Sequence, residues 1–162
     1  MGLFRRKKID DISNFLGRLR LDDYAIIRDL IVTSSTGFKY QIDALVACKK
    51  GVFCFIFKKE NYVYYGNDGE FNWVKADPKT FSKIEFPSPS RYIKAATSLI
   101  ETQLDLKINP VLIFLYGDVI HIDSPITFSP DSFVIRFNNL EDKFGDSELN
   151  CIKEKIAGAS IQ

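Results

Sequence analysis

The sequence predicts an α/β fold of the α+β kind, a single domain with one mixed central β-sheet flanked by helices, on three observations. Apolar residues recur at three- and four-residue intervals in residues 9–19 and 90–104, the spacing of an amphipathic helix. Two strand-length segments, residues 39–48 and 52–58, flank the turn Lys49-Lys50-Gly51. The order of elements is helix, three strands, hairpin, helix, strand, short strands, helix. A parallel doubly wound sheet would alternate strand with helix from the start, so this order implies a mixed sheet.

Each element has its own signal. Ile9, Ile12, Phe15, Leu16 and Leu19 mark the first helix. Residues 24–33 are apolar and β-branched apart from Arg28 and Asp29, and they run into the turn residues Ser34, Ser35, Thr36 and Gly37. In the second strand strict alternation puts Gln41, Asp43, Leu45 and Ala47 on one face, with Tyr40, Ile42, Ala44 and Val46 on the other. The third strand places Val52, Cys54, Ile56 and Lys58 opposite Phe53, Phe55 and Phe57, and continued extension would add Glu60 to the Lys58 face.

Residues 61–74 are rich in aromatics around Asn67-Asp68-Gly69, a hairpin signature. Tyr62, Tyr64, Tyr65, Phe71 and Trp73 could stack on bases, but packing is the commoner use of strand aromatics. Pro78, Pro87 and Pro89 with several serines predict a surface loop over residues 77–89, followed at once by the second long helix. Residues 111–116, VLIFLY, have the continuous apolar pattern of a strand buried on both faces. Residues 119–123 hold the single histidine, His121, which has no second ligand at metal-binding spacing. Residues 133–137 read as a further strand and 146–157 as a closing helix. The predicted organisation is a basic tail (1–8), a core (9–123) and a C-terminal extension (124–162) packed on the same domain.

Composition restricts the function. The chain has 162 residues, 46% of them hydrophobic, enough for one full core. A formal net charge of +1 makes the whole molecule no general polyanion binder, so nucleic-acid contact would need locally clustered cations. Cys48, Cys54 and Cys151 form no CxxC spacing and read as buried thiols of a reducing compartment. No apolar run reaches the roughly 18 residues of a membrane span, and the opening MGLFRRKK lacks the apolar core of a secretory signal. A cytoplasmic protein without integral membrane association is expected. Gly2 is a weak myristoylation signal because Arg6 stands where that motif has Ser or Thr.

The charges that need a reason are Asp43, in a largely apolar strand, and Lys58, at the end of a run of phenylalanines. An acid on one strand and a lysine on its neighbour suit metal-dependent phosphodiester chemistry. There, acidic oxygens hold a hard cation that polarises the phosphate and activates water, while a lysine steadies the developing charge. The arrangement resembles the restriction-endonuclease-like, PD-(D/E)xK fold, and more narrowly the nuclease-related domain, NERD. The resemblance rests on Gln41-Ile42-Asp43, Gly51-Val52-Phe53, Lys58, Tyr64-Tyr65-Gly66 with Trp73, and the helix and strand that follow, over about residues 10–123.

The resemblance implies Mg²⁺-dependent nuclease chemistry, with Asp43 and Lys58 as the matching site residues. It also exposes three departures. Ile56 occupies the position of the Glu in Glu-x-Lys. Asn14 to Leu19 offers no acid, leaving only Asp10, Asp11, Asp22 and Asp23 at the ends of the first helix. The Gln expected before the later helix has no clear counterpart in PSPSRYIKAA.

Three functions follow. The leading one is a catalytically degenerate nuclease-like domain acting as a nucleic-acid-binding or assembly module, needing no cofactor. Its DNA or RNA contacts would come from Lys49, Lys50, Lys58, Lys59 and the tail residues Arg5 and Arg6. The second is an active DNA endonuclease in which Glu60 replaces the lost ligand, so that Asp43 and Glu60 hold Mg²⁺ and Lys58 assists. Without that activity, Asp43 hydrogen-bonds within the sheet, and Lys58 and Glu60 are an exposed pair at a strand end. The third is a subunit that meets another protein chain through the Pro78–Pro89 loop or the C-terminal segment and contacts no nucleic acid.

Overall fold

In the computed structural model, which describes residues 10–159, the first half of the chain is built from strands. Helix α1 (Asp11–Gly17) precedes β1 (Ala25–Thr33), β2 (Lys39–Cys48) and β3 (Gly51–Lys58). The short strands β4 (Val63–Asn67), β5 (Asn72–Ala76) and β6 (Lys83–Pro87) lead into the long helix α2 (Pro89–Leu104). Then come β7 (Asn109–Phe114), β8 (Asp118–Asp123), β9 (Thr127–Phe128), α3 (Pro130–Asn138) and α4 (Asp146–Ala159).

Two mixed sheets result. The larger has the order β1-β2-β3-β7-β9, antiparallel through β3 and parallel from β3 to β9. The smaller has the order β6-β5-β4-β8, with only the β4–β8 pair parallel. The aromatic hairpin therefore belongs to a sheet of its own rather than to the central one. β3 and β7 are buried because helices cover both faces of the larger sheet. One face packs Phe53, Phe55 and Phe57 against α1 and α3; the other packs Val52, Cys54 and Ile56 with α2, α4, Tyr64 and Trp73. Each fully buried phenylalanine contributes about 1.5–3 kcal/mol through lost apolar exposure. Gly66 makes room for the Trp73 indole, since a Cβ there would lie 2.4 Å from the ring.

Four further details differ from the expectations drawn from the sequence. Residues 133–137 are helical, inside α3, because Ser129 accepts from the Ser132 amide as N-cap, Pro130 starts the helix, and Phe133 and Phe137 share one buried face. The 77–89 segment contains β6, an edge strand, where the terminal Pro87 costs no interior ladder bond. Cys48 and Cys54 are buried, whereas Cys151 is exposed on α4.

The fourth is the alternation in β2, which breaks at Asp43. Ile42, Leu45 and Ala47 pack on one face and Ala44 and Val46 on the other. Asp29 on β1 has a left-handed backbone, φ 55°, and the β1–β2 register runs Arg28↔Ala44 then Leu30↔Ile42, leaving Asp29 and Asp43 out of the ladder.

Candidate functional site

The break at Asp43 shapes the site. With no ladder partner on β1, the Asp43 carbonyl accepts from Arg28 Nε at 3.2 Å. Arg28 also donates to Ser13 Oγ at 3.1 Å and lies 3.7 Å from Asp10, tying α1 to the irregularity. The Asp43 side chain turns toward β3, where Oδ2 accepts from the Phe57 backbone N–H at 2.7 Å. That contact lies just beyond the last β2–β3 pair, Ala44↔Phe55, so a carboxylate continues what the backbone ladder stops doing.

Asp43 lines a cleft of about 490 Å³ with Gln41, Ile56, Lys58, Ser88 and Tyr92. Lys58 is the last residue of β3 and is half-buried; Ile56 is buried, packed into the core below it. Gln41 donates its backbone N–H to Tyr92 Oη at 2.8 Å, fixing one wall. Ser88 caps α2 by accepting from the Arg91 amide at 3.3 Å. The wall is braced from the second sheet, where Asp68 accepts from Ser90 Oγ at 2.7 Å and from Lys94 Nζ at 2.6 Å. Burial alone would raise the Asp68 carboxyl, but Lys94, Ser124 and Ser90 outweigh it and hold the group below the usual carboxylate range.

The other predicted residues go elsewhere. β3 ends at Lys58, so Glu60 does not continue its face; it pairs with Lys75 of β5 at 3.0 Å. Lys59 is exposed and acts, with Arg28, on Asp10. The Ser13 amide, ahead of both cations, sets the lowered value of that carboxyl. Lys49 and Lys50 are at the opposite end of β3. Lys49 pairs with Asp146 at 3.1 Å, and Lys50 donates to the Phe137 and Asn138 carbonyls at 2.9 and 3.2 Å, capping α3. The predicted cations thus form two groups rather than one face, and Arg5 and Arg6 lie outside the described residues.

Of the hairpin aromatics, Tyr64 and Trp73 are buried. Tyr65 stacks on His121 with centroids 4.8 Å apart, and Phe71 is 73% exposed beneath the Arg91 guanidinium. Burial pushes the Cys54 thiol up to about 12, which leaves it protonated and unreactive at neutral pH. Arg28 and Tyr92 are the residues that sequence reading passed over. A lone arginine in an apolar strand was the signal for the first; nothing marked the second.

The cleft does not fit a divalent cation. A hard ion takes several converging oxygens, but among the lining residues Asp43 is the single acid and its Oδ2 is bonded to an amide. Among the described residues no three His, Cys, Asp or Glu side chains gather as a metal-binding group. No described helix is long and apolar enough to cross a membrane.

A family model described as nuclease-related domain matches residues 6–115. Comparison with curated proteins and with solved structures gave no match. The matched span runs from the entry to α1 to the end of β7, taking in the kinked β2, the phenylalanine strand and the cleft between them. With more than half of its length matched, the chain belongs to the nuclease-related domain (NERD) family.

Proposed function

We propose that this protein is a catalytically degenerate member of its family that keeps the nuclease-like fold as a nucleic-acid-binding or assembly module. The observation that carries this reading is the Asp43 carboxylate bonded to the Phe57 amide with Ile56 at its side. A carboxylate engaged in this way, beside an aliphatic side chain, leaves the site short of the ligands that metal-assisted hydrolysis requires. Lys58 in the cleft and the exposed Lys59 that follows it in the chain supply the cations for a phosphate backbone. The endonuclease reading would require Glu60 to leave Lys75 and reach the cleft.

The test is incubation of the purified protein with plasmid DNA and Mg²⁺ or Mn²⁺, beside Asp43→Ala, together with fluorescence anisotropy on labelled DNA and RNA at two salt concentrations. The expected result is no cleavage, with salt-sensitive binding that weakens in Lys58→Gln and Lys59→Gln. Cleavage that disappears in Asp43→Ala would establish an active nuclease instead. Absence of binding even at low salt would leave assembly with another protein chain as the role.

A further inference from the structure

We propose a second ligand site, at the opposite end of β3 from the cleft, for a small organic anion with a flat apolar body. It is independent of the reading given above. The start of β7 and the segment running from β9 to beyond α3 enclose a pocket of about 290 Å³. Phe53, Phe128 and Phe133 form an apolar floor, and Lys50, Arg136 and Lys143 bring three cations to it. No Asp or Glu lines this pocket.

The cations have different duties. Lys50 spends two donors on the α3 carbonyls, so it contributes charge more than hydrogen bonds. Arg136 lies with its guanidinium 5.6 Å from the Phe128 ring centre, holding a planar fork at the edge of the floor. Lys143 is placed by its backbone amide, which donates to the Lys49 carbonyl at 2.7 Å. Among the described residues neither Arg136 nor Lys143 forms an ion pair.

Those features select the ligand. A guanidinium fork matches a carboxylate or a phosphate bidentately, while aromatic rings and Pro110 favour a flat apolar body over a bare inorganic ion. The volume is at the small end of ligand pockets, which begin at about 300 Å³, so the occupant is a single small molecule rather than a polymer. An aryl carboxylate and a nucleoside monophosphate share this chemistry. Phe128, Phe133, Arg136 and Lys143 all follow the family-matched residues 6–115, so the extension completes a site to which the matched core contributes Lys50, Phe53 and Pro110.

Isothermal titration of the full chain with 2-naphthoate, adenosine 5′-monophosphate and inorganic phosphate tests this. At least one of the two organic anions is expected to bind with one-to-one stoichiometry and more tightly than phosphate. Whichever binds identifies the source. Arg136→Gln and Lys143→Gln should each weaken binding by about ten-fold, with melting curves confirming that both variants fold, while Lys79→Gln on the distant β5–β6 loop leaves it unchanged. The proposal is overturned if neither organic anion exceeds phosphate, if the Arg136 and Lys143 variants bind like the parent, or if Lys79→Gln weakens binding as much as they do.

Discussion

The two ends of β3 carry lysines in opposite circumstances. At the turn end, Lys49 and Lys50 both reach the C-terminal extension, one pairing with the exposed Asp146 and the other fastening the last carbonyls of α3. Roughly 23 Å away, at about 3.3 Å per residue, Lys58 borders an open cleft whose acid is engaged with the backbone. One end uses charge to hold the fold, whereas at the other Lys58 forms no ion pair among the described residues. Lysines that look equivalent along the chain differ because a paired acid and a helix end reach only Lys49 and Lys50.

The largest expected effect would sharpen this comparison at the cleft. Asp43→Ala orphans the Phe57 amide and should cost about 1–3 kcal/mol in urea unfolding. Asp43→Asn, which still offers an accepting oxygen, should recover most of that. If both variants unfold like the parent, the hydrogen bond is not what Asp43 contributes. Next comes Lys50→Met, which strips the α3 carbonyls of their donor and should cost about 1–2 kcal/mol by the same assay. A cost below that of Lys58→Met would erase the distinction between the ends.

A pH effect comes third. The folded Asp68 carboxyl titrates below its unfolded value of about 3.9, so its stabilising contribution is present above that value and lost as pH falls through the folded pKa. Thermal melts should drop below about pH 4, and Asp68→Asn should flatten that part of the profile. Smallest of all is Lys49→Ala, whose exposed partner Asp146 leaves the pair screened by water. Its melting temperature should be close to the parent's.

Much of the fold was legible. The phenylalanine face of β3, the α2 stripe and the double-sided burial of β7 follow directly from side-chain spacing, and all are present. What spacing could not reveal is where periodicity is broken by tertiary demands. The face switch at Asp43 depends on a left-handed residue in a different strand, Asp29, and no count along β2 alone contains it. Residues 133–137 failed for a related reason: FVIRF is short and β-branched, so its identity is decided by the Ser129-Pro130 start that precedes it. Within the candidate site, Asp43, Ile56 and Lys58 were readable as a group because they occupy adjacent strands. Tyr92 and Arg28 were not, since their contacts span 51 and 15 residues.

The bond from Asp43 to the Phe57 amide also gives this aspartate a duty that is independent of any chemistry in the cleft. An aspartate that completes a sheet contributes to folding whether or not the site carries out chemistry. Its presence is then no marker of activity. Under the proposed reading, Ile56→Glu would add an acid beside a carboxylate whose Oδ2 already accepts from the backbone.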